Sequence, residues 1–280
     1  MPAPPPRWTR RWPRTLLRLL LPSTCALCGA GCDGVVCTPC QDHFCLPITN
    51  RCDRCANPLP KTSPHRPAPV EPSFPRRRES KLNPHLVSNE STSGSETLCV
   101  TCLSTPPAYD STIAAVDYAA PLDHLVLQLK FSARLPLAPW FAHLLRDAVL
   151  ARPGPPLPDL LCPVPLGQAR LVERGFNQAL EIAKPLSRAL GVVLHPTLAA
   201  RQRETRAQSG VSPHERAANI RGAFAVEDPD LVAGRHIGLV DDVMTSGHTL
   251  DELAATFKRF GAARVSNLVF ARTPPHAPLL

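Results

Sequence analysis

The stretch HIGLVDDVMTSGHTL, residues 236–250, restricts the possible folds of this chain more than any other. Residues 237–240 are an apolar run that reads as a short buried strand, followed at once by Asp241 and Asp242. A loop of small and hydroxyl-bearing residues comes next, made of Thr245, Ser246, Gly247, His248 and Thr249. Leu250, Leu253, Ala254, Phe257 and Phe260 then recur three and four apart, which predicts a helix. A strand, an acidic pair, a small-residue loop and a helix N-terminus together describe a site for a sugar phosphate. Backbone N–H groups and the helix dipole favour an anion at the loop. The carboxylates can accept hydrogen bonds from sugar hydroxyls or hold a hydrated magnesium ion. An ordinary turn after a strand is the bland alternative, and it leaves Asp-Asp followed by Thr-Ser-Gly-x-Thr unexplained.

The surrounding pattern alternates in the same way. Residues 112–118 read as a strand, and Leu122, Leu125, Val126 and Leu129 form a helical stripe ending near Lys130 and Phe131. A second helix is predicted over 138–150, before a proline-rich linker. Residues 160–165 read as a strand and its exit, where prolines end the pairing. A helix is expected to open near Arg170–Gln178 and run to about Leu190, kinked or restarted at Pro185 and capped by Gly191. Residues 192–194 and 264–271 supply two further strands. Strands alternating with helices imply an α/β fold with a mostly parallel sheet flanked by helices, its site at the strands' C-terminal edge. The run 200–224 carries Arg201, Arg203, Thr205, Gln208, Ser209, Arg216 and Asn219, a polar composition suited to a lid over an anionic substrate.

The N-terminal part follows a different logic. Eight of the eleven cysteines form four Cys-x-x-Cys pairs: Cys25/Cys28, Cys37/Cys40, Cys52/Cys55 and Cys99/Cys102. Each pair can present two thiolates from one tight turn, and two turns complete a tetrahedral zinc site. Eight ligands imply two structural zinc ions. Sequential filling joins the first two pairs and the last two, while spacing alone also permits a cross-braced arrangement. Cys32 and Cys45 read as bystanders. Large apolar residues are scarce here, so the fold of this module depends on metal. Between the third and fourth pairs, residues 60–97 are dense in Pro, Ser, Arg and Asn without a sustained period, and are expected to be a disordered insertion. Closing so long a loop costs little more than closing a short one, so the second site can survive it.

The domain reading is therefore a basic N-terminal segment with a short helix (1–22), a cysteine-rich module (23–104), an α/β domain (110–273) and a tail (274–280). Paired thiols at metal spacing point to the cytoplasm rather than to a disulfide-forming compartment. No apolar run is long enough for a membrane span. The net charge of +8 suits a phosphate-bearing substrate or nucleic acid, though solvated basic tails account for much of it.

Residues 236–250 resemble the phosphoribosyl-pyrophosphate motif of type I phosphoribosyltransferases. Taken with the four cysteine pairs, Leu129-Lys130-Phe131, Pro163-Val164-Pro165, Arg174-Gly175-Phe176-Asn177-Gln178, Arg203-x-Thr205-x-x-Gln208, Arg216-x-x-Asn219 and Ala271-Arg272-Thr273, they make the chain similar to the ComF family. That resemblance implies a double zinc-ribbon-like module on a type I phosphoribosyltransferase domain, linked to natural competence and DNA uptake. It implies that Asp241 and Asp242 engage the ribose hydroxyls and that residues 245–249 cradle the 5′-phosphate. Arg174 would lie near the pyrophosphate with magnesium, and Lys130, Arg203 and Gln208 would complete the substrate site. Two functions follow as expectations: a phosphoribosyltransferase, or a non-catalytic factor that binds single-stranded DNA or other competence proteins and retains the fold.

Overall fold

The computed structural model describes residues 23–46, 49–60, 97–152, 156–202 and 222–274. The expected N-terminal helix, nearly all of the insertion, and Arg203, Thr205, Gln208, Ser209, Arg216 and Asn219 lie outside the described residues.

Five strands form one parallel sheet: β1 (Ser111–Asp117), β2 (Leu160–Pro163), β3 (Val193–Leu194), β6 (His236–Met244) and β7 (Arg264–Arg272). Their spatial order is β1-β7-β6-β2-β3. Two short strands, β4 (Ala199–Arg201) and β5 (Phe224–Val226), pair antiparallel outside that sheet. The helices are α1 (Thr38–Phe44), α2 (Val100–Ser104), α3 (Leu122–Phe131), α4 (Leu137–Ala151), α5 (Gln168–Arg174), α6 (Gln178–Leu190) and α7 (His248–Arg259). The two central strands are buried almost throughout, as a parallel sheet covered on both faces requires. On one face Leu125, Leu129, Phe141, Leu145, Ile182 and Leu186 close over Phe270. The Phe141 and Phe270 rings stack there with centroids 3.6 Å apart. On the other face Leu253 and Phe257 of α7 cover Leu239 and Val269.

Three expectations need correction. The strand carrying the acidic pair does not end at Val240. It continues through Asp241 and Asp242, because β7 extends alongside and pairs Val243 with Ala271 and Met244 with Arg272. The carboxylates therefore hang on a rigid strand. Second, the helix expected from Arg170 to Leu190 is two helices. Gly175 takes a left-handed conformation (φ 76°) that ends α5. Asn177 then caps α6, its Oδ1 accepting from Ala179 N at 2.9 Å and its Nδ2 donating to Val164 O at 3.0 Å. Third, α6 does not restart at Pro185 but runs through it from Gln178 to Leu190. One missing backbone donor is outweighed by the buried face of Ala179, Ile182, Ala183 and Leu186 around it.

The cysteine-rich segments dock on the sheet domain at several points. Trp140 Nε1 of α4 donates to Gln41 Oε1 at 3.0 Å. Arg152 pairs with Asp53 at 2.6 Å and also donates to Thr112 O at 3.0 Å. Arg51 pairs with Asp117 at the end of β1.

Candidate active site and cysteine clusters

At the C-terminal edge of the sheet, the last turn of α3 meets β6. Lys130 Nζ lies 2.9 Å from Asp242 Oδ2. Asp242 is 2 % exposed, and its other oxygen accepts from Val243 N at 2.8 Å. Asp241 is partly buried, and its Oδ1 accepts from Asp242 N at 2.8 Å. Burial first, and the neighbouring Asp242 charge second, hold the Asp241 carboxyl well above the usual carboxylate range, with Lys130 pulling the other way. The one ammonium pairs with Asp242 and leaves Asp241 without a cation in contact, so the edge is short of positive charge or hydrogen-bond donors. That donor set fits a divalent cation or a polyhydroxyl ligand.

The loop after β6 is shaped by Gly247. Its φ of 86° is left-handed, and a Cβ there would meet Met244 Cε at 2.7 Å and Tyr109 Oη at 3.3 Å. α7 starts at the next residue, and no side chain caps its N-terminus. The first-turn N–H groups therefore remain available to an anion. Thr245 and Ser246 are exposed, and Thr249 is half-buried. Ser246 Oγ and His248 Nδ1 lie 3.1 Å apart.

Arg174, the last residue of α5, reaches the C-terminal end of α3. Its guanidinium sits over the Phe131 ring, 5.1 Å from the centroid, and donates to Gln178 Oε1 at 3.1 Å. The structure thus brings Lys130, Asp241 and Asp242 into contact, with residues 245–249 directly continuous, and places Arg174 beside Phe131. Arg203 and Gln208 fall outside the described residues.

Two residues given no role from sequence prove central to the site's frame. Arg272 is 5 % exposed and donates to Met244 O at 3.0 Å and to Thr245 O. Tyr109, 4 % exposed, backs Gly247. The available signal for Arg272 was a cation closing a nine-residue strand that is otherwise almost wholly apolar from Leu268 onward.

The cysteines settle into two sets. Cys25, Cys28, Cys37 and Cys40 gather their sulfurs within 4.8 Å of one another, and so do Cys52, Cys55, Cys99 and Cys102. Sequential filling is therefore the observed arrangement, and Cys32 and Cys45 belong to neither set. Main-chain N–H groups point at the sulfurs, from Cys37 to Cys25 Sγ and from Cys99 to Cys52 Sγ, both at 3.3 Å. Burial pushes these two thiols up, but such donors outweigh it and bring Cys25 down to about 6 and Cys52 to about 7. Four sulfurs in each set, with N–H donors to thiolates, fit a tetrahedral structural zinc ion.

The comparisons with known proteins agree with this architecture. The family model described as "Phosphoribosyl transferase domain" matches residues 177–277. The chain is 31% identical over 179 residues to Competence protein F of Haemophilus influenzae, covering 62% of this chain and 78% of that protein. It is 42% identical over 178 residues to DNA utilization protein YhgH of Escherichia coli (strain K12), again covering 62% and 78%. The chain belongs to the ComF family. The corresponding Salmonella typhi protein is 39% identical with the same coverage. In this ComF chain a phosphoribosyltransferase-type parallel sheet is joined to two four-cysteine clusters. Among its described residues no helix is long and apolar enough to cross a membrane.

Proposed function

We propose that this ComF protein binds phosphoribosyl pyrophosphate with magnesium at the C-terminal edge of its sheet and acts as a phosphoribosyltransferase. The observation that carries the reading is the Lys130–Asp242 pair beside Asp241, directly continuous with an uncapped helix N-terminus. In this reading Asp241 and Asp242 accept hydrogen bonds from the ribose hydroxyls, while Lys130 holds the Asp242 side chain in place. The N–H groups and hydroxyls of residues 245–249 take the 5′-phosphate. Arg174 would lie near the pyrophosphate, and the family resemblance assigns Arg203 and Gln208, outside the described residues, to substrate binding. Asp241 and Asp242 would hold magnesium near the ligand, and the ion would supply charge neutralisation to the departing pyrophosphate. The bond from the anomeric carbon to pyrophosphate breaks with its electron pair leaving on oxygen, and a nitrogen acceptor attacks the oxocarbenium-like carbon. Fixed donors around the leaving group would account for most of the acceleration.

Zinc in the two clusters is structural in this account, the units 23–104 and 110–273 are two docked modules of one chain, and paired cysteines at metal spacing suit the cytoplasm. Calorimetric titration with phosphoribosyl pyrophosphate tests the site, and pyrophosphate release over a panel of nucleobases tests whether chemistry follows binding. A second reading rests on the relatives' names, which refer to competence and DNA utilization. It makes the chain a DNA- or protein-binding competence factor that retains the fold. Single-strand affinity that falls steeply with salt supports it, and affinity indifferent to salt removes it.

A further inference from the structure

The second cysteine cluster and the loop after β6 share one buried side chain. Arg272 Nε donates to the carbonyl of Cys55 at 2.9 Å, and the same guanidinium donates to Met244 O, Thr245 O and Thr273 O. Cys55 belongs to the turn that presents two of the cluster's thiols, and Thr245 opens the loop. All four of these acceptors are main-chain carbonyls, so the side chain is held by hydrogen bonds to the backbone of three separate segments. A planar fork that binds several acceptors at fixed angles turns a shift of the knuckle into a shift of the loop.

Two further contacts run the same way. Tyr109 follows the second cluster in the chain, and its hydroxyl backs Gly247. Ala108 N donates to Asp251 Oδ1 in the first turn of α7 at 2.6 Å. The first cluster is placed differently. Cys25 and Cys40 belong to the core on the α3 and α4 side, and Gln41 beside them bonds Trp140.

We propose that Arg272 is a positioning residue that couples the second four-cysteine cluster to residues 245–249, so that the metal-filled cluster holds the loop in its anion-accepting shape. By linkage, a ligand on the loop retains the metal in that cluster and not in the first. The second statement rests on the proposed phosphoribosyl-pyrophosphate site, whereas the first does not.

The test is hydrogen exchange of the amides of residues 245–249 in the zinc-loaded full chain. Arg272→Lys keeps the charge and loses the fork. It should speed loop exchange about tenfold, within the usual range of coupling, while zinc content stays unchanged. Cys28→Ser, which disables the first cluster, should leave loop exchange as in wild type. Unchanged exchange in Arg272→Lys overturns the proposal, as does equal acceleration in Cys28→Ser. Should Arg272→Lys fail to fold, graded chelation of the Cys28→Ser chain decides. Loop exchange should rise in step with loss of its remaining zinc, and a loop indifferent to that loss overturns the coupling. Adding phosphoribosyl pyrophosphate and magnesium to the same chain should slow zinc release about tenfold. Ligand that binds without slowing release counts against the coupling. A chain whose loop follows the zinc but which takes up no phosphoribosyl pyrophosphate keeps the coupling and loses the ligand assignment.

Discussion

Lys130 Nζ sits 2.9 Å from Asp242 Oδ2, tying the last turn of α3 to the acidic end of β6, with the two side chains 20% and 3% exposed. A pair so far out of water strands its survivor when one partner is removed. Lys130→Met should cost about 2–4 kcal/mol in chemical denaturation, since Asp242 is left buried beside Asp241. Adding Asp242→Asn to that variant should recover most of the loss. A double variant as unstable as the single one would show that the pair is not the cause.

Asp241 is predicted to be held against the chain's own stability. Its carboxyl is raised above the usual range by burial and by Asp242, so the folded state binds a proton more readily than the unfolded state. That unfavourable contribution is full above the folded pKa and disappears as pH falls below the unfolded value. Asp241→Asn should therefore raise the thermal midpoint at neutral pH, and the gap should close on acidification. A variant less stable than wild type at neutral pH contradicts this. The same titration predicts that wild type loses magnesium-dependent ligand binding at a higher pH than an ordinary carboxylate would dictate.

Gly247→Ala combines a left-handed backbone with a Cβ 2.7 Å from Met244 Cε. The Met244 methyl can shift to make room, but the left-handed backbone strains the loop, so the expected cost is about 1–3 kcal/mol with weakened anion binding. Anion affinity equal to wild type would mean that the loop's shape does not matter.

Metal analysis should find two zinc ions per chain, one in each cluster. Cys40→Ser should leave one, and Cys40→Ser with Cys102→Ser none, whereas Cys32→Ser and Cys45→Ser should leave both. Loss of zinc on replacing Cys32 or Cys45 would overturn the ligand sets.

Much of this architecture was readable from local pattern. The stripe of Leu122, Leu125, Val126 and Leu129 marks α3 because its spacing of three and four is a property of the helix itself. The cysteine pairs declare metal chemistry through spacing, yet their grouping into two sets depends on where the sheet domain holds the distant Cys99/Cys102 turn. The end of β6 was misplaced for a similar reason. Asp241 and Asp242 look like the close of a strand, and only the length of β7 beside them shows that pairing continues. Arg272 carries no periodic signal at all. Its role comes from bringing Cys55, Met244 and Thr245 together from distant parts of the chain, and that meeting exists only after folding. Arg203 and Gln208, expected in a lid, lie outside the described residues.

The central claim is that the Asp241–Asp242 edge and residues 245–249 form a working sugar-phosphate site. Calorimetric titration of phosphoribosyl pyrophosphate into the zinc-loaded full chain, with and without magnesium, tests it most directly. The account predicts saturable binding at one site per chain that requires magnesium and disappears in Asp241→Asn/Asp242→Asn. No binding to wild type, or binding that survives both the double substitution and the removal of magnesium, would contradict it.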